Sequence, residues 1–189
     1  MTRPALVLAL PLALPLAGAL PAQAAPWNVD PAHSRIGFAG SQGGAPFTGS
    51  FKHWDAKIDF DPANPAAGHA LVTIDMASAA TGDSDKDGAL PQAEWFDTAA
   101  FPQAVFEATT FRAKGGNAYE AVGTLTIRGI KKDVTLPFTL DTTGPDAHAL
   151  GRLTLVRTDY AIGQGAWARP DVVALEVAVT VDLAATKGK

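Results

Sequence analysis

A strict alternation of apolar and polar residues near the C-terminus constrains the fold of this chain more than any other feature. From Val173 to Leu183, every second residue is Val or Leu, and the residues between them are small, polar or charged. Successive side chains of a β-strand point to opposite faces of a sheet. The segment Val172–Leu183 is therefore predicted to be a strand with one apolar and one solvated face.

Seven further segments carry the same period of two, and helical periodicity is nearly absent. The segments are Ser34–Ala39, Phe47–Phe60, Ala70–Asp75, Val105–Ala113, Ala118–Arg128, Val134–Leu140 and Ala149–Arg157. Within Phe47–Phe60 the apolar residues change parity, which predicts a bulge or sharp bend near Lys52 and His53. Pro137 cannot donate a hydrogen bond to a neighbouring strand, so it predicts an edge or a bulge.

Eight strands joined by short turns rich in Gly, Pro, Asp and Asn predict an all-β fold, either an antiparallel sandwich or a barrel. We expect one short helical segment near residues 91–100, where Pro91 would be its first residue. A barrel of about eight strands is either filled by its own side chains or wide enough for one slender ligand. The apolar strand faces fit both alternatives.

The N-terminal segment has the layout of an export signal. Arg3 precedes an apolar run from Ala5 to Leu20, and Ala22-Gln23-Ala24 fits a cleavage site. We predict a signal peptide at residues 1–24 and one domain at residues 25–189, exported to a bacterial periplasm. No second apolar run is long enough to span a bilayer.

Composition excludes several classes of partner and linkage. The chain has no cysteine, which rules out a disulfide framework and a cysteine-linked lipid anchor. The net charge of −4 argues against nucleic acid or an anionic membrane surface as an electrostatic partner. Contact with a membrane or membrane protein and homodimer formation are both compatible with this sequence.

The segment Asp83–Glu94 matches a calcium-loop pattern at every position. Asp83, Asp85, Asp87 and Glu94 would supply ligands, and Gly88 would make the turn. The preceding segment is strand-like, however, so the entering helix of an EF-hand is missing. We interpret the segment as a solvated acidic turn and assign no metal ligand, with a calcium-stabilised turn as the alternative.

Sequence signals for catalysis are absent. The chain contains neither a G-x-S-x-G nor an H-E-x-x-H motif, and its four histidines show no metal spacing. We therefore predict a protein that is not an enzyme and has no cofactor. An isoprenoid-modifying enzyme would need Asp159 or Glu107 to point inward beside a histidine.

Five ordered segments resemble the YceI-like, polyisoprenoid-binding family. They are WNVDPAHSRIGF at 27–38, IDFDP at 58–62, the residues Thr81-Gly82, Lys86-Asp87, Leu90, Trp95-Phe96-Asp97, Phe101-Pro102 and Phe106, then GTLTIRGIKKDVTLP at 123–137 and RTDYAIG at 157–163. Three features depart from the family pattern. Gly40-Ser41-Gln42-Gly43-Gly44 follows the first strand where the family often has Lys-His-x-Gly, Lys86 stands where Arg is usual, and Ala161 stands where Gly is usual.

The resemblance implies an extended, lipocalin-like, eight-stranded antiparallel barrel that holds an isoprenoid, such as a quinone or polyprenyl lipid, or another long-chain lipid. Such a protein would sequester or carry its ligand, and the alternative is a calcium-stabilised barrel without lipid. Each candidate ligand-binding residue would serve equally in an ordinary core. The candidates for the lining are Phe38, Trp54, Ile74, Phe106, Ile127, Phe138, Leu153 and Val177, with Trp95, Phe96 and Trp167 near a mouth.

Overall fold

The computed structural model describes residues 26–188. The predicted signal peptide lies outside these residues. The strands are β1 (Pro26–Val29), β2 (Arg35–Gln42), β3 (Ala45–Phe51), β4 (Trp54–Asp59), β5 (His69–Asp75), β6 (Ala79–Ala80), β7 (Gln103–Gly115), β8 (Ala118–Ile127), β9 (Ile130–Thr143), β10 (Asp146–Val156) and β11 (Glu176–Lys187). One α-helix, α1 (Ser84–Ala89), and 3-10 turns at Pro31–His33, Pro65–Ala67, Met76–Ser78, Arg157–Tyr160 and Gly165–Ala168 complete the described elements.

These strands close into an eight-stranded antiparallel barrel, as predicted. β1 and β2 are two halves of one barrel strand, separated by the Pro31–His33 turn, and β3 and β4 are two halves of the next. The break between β3 and β4 falls at Lys52 and His53, where the change of parity predicts it. β11 closes the ring because it pairs with β10 on one side and with β1 and β2 on the other.

A bulge in β7 keeps an apolar face turned inward along this long strand. The register against β8 shifts between Ala108 and Thr110, so Phe106 and Phe111 both face the interior. Gly123 lies opposite the bulge, and a Cβ there would overlap the carbonyl oxygen of Glu107. The close approach of the two backbones at this point requires glycine.

The described residues contain one short α-helix, as predicted, but the predicted position is wrong. Residues 91–100 form turns, and the helix is α1, which ends before Pro91. The Asp83 side chain caps the helix by accepting hydrogen bonds from the main-chain N–H groups of Asp85 and Lys86. Pro91 has no N–H to continue the pattern, so the helix stops at its position instead of starting there.

Two long connections cover one end of the barrel, and we call them the plug: residues 76–102 and 157–175. The first links β5 to β7 and the second links β10 to β11 at the same end. Gly163 and Gln164 tie the two segments together, since their N–H groups donate to the carbonyl oxygen of Glu94 at 2.7 and 2.9 Å. A buried cluster joins the plug to the barrel: Met76, Phe96, Tyr160 and Ile162 come from the plug, and Ala104 and Leu125 come from β7 and β8.

Arg157 holds the second plug segment together. Its side chain is only 3% exposed, and all five of its guanidinium N–H donors point at main-chain carbonyls. The predicted strand start at Val172 is wrong for this reason: β11 begins at Glu176, and the preceding carbonyls bind Arg157. The acceptors are the oxygens of Ile162, Gly163, Trp167, Val173 and Ala174, at 2.6 to 3.1 Å.

The opposite end of the barrel contains an aromatic cluster. Phe60, Phe111, Tyr119 and Phe138 have ring centroids 5.0 to 6.2 Å apart, and three of these side chains are almost fully buried. The indole N–H of Trp27 donates to the carbonyl oxygen of Phe60 at 2.8 Å, which fixes β1 at this end. Between residues 26 and 188, no helix is long and apolar enough to cross a membrane.

Candidate ligand cavity

The interior of the barrel contains a cavity of about 160 Å³ that reaches the aromatic cluster. Every side chain that lines the cavity is apolar. The lining residues are Trp27, Ile36, Trp54, Ala56, Ile58, Phe60, Ala70, Val72, Ile74, Phe106, Phe111, Ala121, Leu125, Leu136, Phe138, Leu140, Ala147, Ala149, Gly151, Leu153, Val179, Val181, Leu183 and Ala185. The barrel is therefore not completely filled by its own side chains.

The cavity is long and narrow. On β11 the lining extends from Val179 to Ala185, and on β4 it extends from Trp54 to Phe60 just beyond the strand end. Six steps of about 3.4 Å along either strand give a lined length of about 20 Å. A long, slender apolar molecule matches this shape better than a compact one.

Small residues on β10 and β11 form one wall of the cavity. Ala147, Ala149 and Gly151 alternate along β10, and Ala185 lies on the neighbouring strand. A Cβ at Gly151 would lie 3.2 Å from Cδ1 of Leu136 and 3.3 Å from Cβ of Phe138. Larger side chains on this wall would occupy the cavity, so its small residues keep the space open.

The structure brings five of the eleven predicted ligand-binding residues together around the cavity. They come from five different strands and share the interior face of the barrel. These residues are Trp54, Ile74, Phe106, Phe138 and Leu153.

The other six predicted residues lie outside the lining. Phe38 packs against Phe51 with ring centroids 5.3 Å apart, and Phe51 packs against Phe96 at 6.2 Å. Phe96 belongs to the buried cluster that joins the plug to the barrel, and Ile127 packs against this cluster. Val177 is half-buried next to the strand start at Glu176. These positions share the apolar alternation of the barrel, but the plug packs over the barrel end where they lie.

Trp95 and Trp167 form a pair inside the plug. Their ring centroids are 5.7 Å apart, and the Arg157 guanidinium carbon lies 5.9 Å from the centroid of Trp95. The indole nitrogen of Trp95 is buried and has no hydrogen-bond partner among the described residues. Both tryptophans thus pack the plug, and neither contributes to the cavity wall.

Sequence reasoning missed the small residues of the lining, although the signal was present. Ala147, Ala149 and Gly151 occupy alternate positions of β10, in the same parity as Leu153. Small side chains are weak signals of an apolar face, because they also occur in turns and on surfaces. Phe111 was missed for a different reason: the bulge in β7 reverses its parity relative to Phe106.

Two of the four carboxylates in the calcium-loop pattern, those of Asp83 and Asp87, accept hydrogen bonds from protein groups. Asp83 caps α1 and pairs with the Lys86 ammonium at 2.7 Å, which lowers the pKa of Asp83. Asp87 accepts from the main-chain N–H and hydroxyl of Thr81 and from the N–H of Gly82, and these bonds lower its pKa.

The geometry of this acidic segment is that of a capped helix. Within residues 26–188, no three His, Cys, Asp or Glu side chains are arranged to hold a metal. Because folding lowers the pKa of Asp83 and Asp87, their negative charges stabilise the fold at pH values above the ordinary pKa range of aspartate. That contribution is lost as the pH falls through their folded values.

The two acidic residues considered for catalysis point away from the cavity. Glu107 lies 3.4 Å from Nε2 of His69, and both side chains are exposed on the outer surface. Asp159 is exposed and faces Lys132 at 3.8 Å. Neither carboxylate reaches the apolar interior.

Comparisons with known proteins agree on one family. A model described as "YceI-like domain" matches residues 27–185. Protein YceI of Escherichia coli O157:H7 is 39% identical over 98 residues, which are 52% of this chain and 51% of that protein. The match therefore spans about half the length of this curated relative.

Two solved structures extend the similarity to the whole barrel. Burkholderia cenocepacia BcnA superposes with a TM-score of 0.82 at 36% identity, covering 84% of this chain and 100% of that chain. A polyisoprenoid binding domain from Saccharophagus degradans, implicated in plant cell wall breakdown, has a TM-score of 0.65 at 17% identity. It covers 88% of this chain and 100% of that chain, and at this identity it supports the fold alone.

Proposed function

This chain belongs to the YceI-like family, and from that premise we propose that it is a binding protein whose barrel holds a long-chain isoprenoid or a similar amphiphilic lipid. One observation carries the proposal: a narrow cavity about 20 Å long is lined by apolar side chains alone. The name of the Saccharophagus degradans domain supports an isoprenoid as the ligand class. A quinone or a polyprenyl lipid would satisfy both observations.

Burial of the apolar tail accounts for the affinity in this proposal. Each buried CH₂ group contributes about 0.8 kcal/mol, so a five-carbon prenyl unit contributes up to about 4 kcal/mol. Two such units already outweigh the lower part of an association cost of about 4–15 kcal/mol, and three or four outweigh most of that range. Tail length therefore sets the affinity, and no catalytic group or cofactor is needed for the role.

We further propose that the protein acts in the periplasm, where it sequesters the lipid or carries it in transient contact with a membrane. The signal-like segment before residue 25 supports this location. Expression of the full-length chain in a Gram-negative host should give a periplasmic protein whose intact mass begins near Ala25. A cytoplasmic product that retains Met1 would contradict export.

A cavity-filling substitution tests the binding function. Ala149→Phe places a ring on the small wall of the cavity, and we expect the affinity for ubiquinone-2 to fall at least about tenfold, or about 1.4 kcal/mol. Quenching of tryptophan fluorescence would report binding, because Trp27 and Trp54 line the cavity.

The matched control is Leu150→Phe, since Leu150 adjoins Ala149 on β10 but is 44% exposed on the outer face. It should bind ubiquinone-2 like the unmodified protein. Equal affinities of the two variants would place the ligand outside the cavity. Failure of the unmodified protein to bind ubiquinone-2 or any extractable lipid, seen by native mass spectrometry, would reject the function itself.

A further inference from the structure

The barrel wall is split between two adjacent strands near the plug. The hydrogen-bonded ladder between β9 and β10 runs from Thr143 and Asp146 to Phe138 and Gly151, and there it ends in the described structure. Both strands continue past this point. β9 stays paired with β8 up to Ile130, and β10 stays paired with β11 up to Val156. Each strand therefore keeps its other neighbour, while no ladder joins β9 to β10 beyond Phe138 and Gly151.

Pro137 is the residue at which the split begins. It lies next to Phe138 on the side nearer the plug, and it has no N–H to donate to β10. This outcome confirms the prediction that Pro137 marks an edge, although the edge lies inside a closed barrel. The sequence therefore encodes the position of the split.

The split lies directly over the ligand cavity. An extended ladder would place Leu136 opposite Leu153, and both side chains line the cavity. Val134 and Leu155 continue the same inward face toward the plug. Separation of the two strands at this point would therefore connect the outer surface with the apolar interior.

Packed side chains occupy both ends of the barrel. At one end Arg157 and the Trp95–Trp167 pair hold the plug in place. At the other end Phe60 and Phe111 are 4% and 6% exposed within the aromatic cluster. Neither arrangement can open without breaking a buried cluster.

A weak charged contact crosses the split on the outside. The ammonium of Lys132 on β9 lies 3.8 Å from the carboxylate of Asp159, which follows β10, and both side chains are about half exposed. An exposed ion pair of this kind contributes little to stability. It can hold the two strands near each other and still release them at small cost.

We propose that the split between residues 130–137 of β9 and 152–156 of β10 is a lateral portal through which the apolar tail enters and leaves the cavity. This inference rests on the proposed lipid-binding function. The plug and the aromatic cluster keep their packing while the ligand passes. The split strands separate further, since no main-chain ladder joins them there.

A disulfide across the split tests the portal, because the chain has no cysteine of its own. Thr135→Cys with Thr154→Cys places one thiol on each side of the split, on the outer face. The matched control is Thr154→Cys with Ala178→Cys, which spans the intact ladder between β10 and β11. Stopped-flow quenching of tryptophan fluorescence by ubiquinone-2 gives the association and dissociation rates of each oxidised protein.

We expect the oxidised split pair to show association and dissociation rates that are both at least about tenfold slower, with the dissociation constant changed less than threefold. A reductant should restore both rates, and the oxidised control pair should bind like the unmodified protein. Unchanged rates in the oxidised split pair would overturn the portal. Failure of the unmodified protein to bind either ubiquinone-2 or any extractable lipid would instead overturn the proposed function.

Amide hydrogen exchange tests the split without any ligand or disulfide. The amides of residues 131–137 that point away from β8 should exchange at least about tenfold faster than those of residues 139–143, which the ladder to β10 protects. Equal protection along β9 would show a continuous wall and would overturn the portal, even if the cysteine pair failed to oxidise.

Discussion

Replacement of Arg157 with methionine is expected to lower the free energy of unfolding by about 3–5 kcal/mol. Methionine fills much of the aliphatic volume but leaves five main-chain carbonyls in the plug without their donors. Burial lowers the pKa of the guanidinium, yet an arginine remains charged in a folded protein. Main-chain carbonyl dipoles therefore compensate the charge of Arg157 in place of a carboxylate. A side chain without N–H donors leaves these carbonyls unpaired.

Urea denaturation and thermal melting would measure this effect, with Arg152→Met as the control. Arg152 is exposed on the outer face of β10, so its replacement should change the free energy of unfolding by less than about 0.5 kcal/mol. Arg157→Lys should rescue little, because an ammonium has three donors and lacks the planar fork. A loss below about 1 kcal/mol in Arg157→Met would show that the plug does not depend on this cation.

The strands could be predicted from the sequence because their signal is local and repeated. Each strand carries its own alternation. The number of strands and the short turns fit a sandwich as well as a barrel, so closure of the sheet was implied only by the family resemblance. The parity change in Phe47–Phe60 and the missing N–H of Pro137 are also local. Both predicted an irregularity at the correct position, and the second one opens the wall of the cavity.

The plug could not be predicted in the same way, since its order depends on contacts between distant residues. Arg157 binds carbonyls up to Ala174, and Glu94 accepts hydrogen bonds from the other plug segment. No sequence pattern in either segment predicts these hydrogen-bond partners. Six predicted ligand-binding residues therefore lie under or within the plug, where the alternation continues but the cavity does not.

At Ala161 the sequence resemblance and the structure each explain a different part of the local backbone. Its φ of 54° lies in the left-handed region, which favours glycine. The related family usually has Gly there, so the sequence resemblance predicts an unusual backbone. Only the structure shows its purpose: the turn brings the carbonyls of Ile162 and Gly163 onto Arg157.

Substitution of Gly123 by alanine is expected to cost about 3 kcal/mol or more, at the upper end of the range for an overpacked site. The added Cβ would overlap the Glu107 carbonyl oxygen and lie 2.6 Å from Cα of Ala108, and both atoms belong to the β7 backbone. A side chain can rotate away from such an overlap, whereas a paired strand cannot. Relief would require the β7 bulge to move, and with it Phe106 and Phe111 in the cavity wall.

Gly88→Ala is the matched control, because the same chemical change should have the opposite sign there. Gly88 lies in α1, and a Cβ at this position meets no atom within 4 Å. Alanine should stabilise the helix by about 0.5–1 kcal/mol. Chemical denaturation of both variants would decide the point. Similar midpoints would mean that the bulge absorbs a methyl group freely, and that the spacing of β7 and β8 does not depend on glycine.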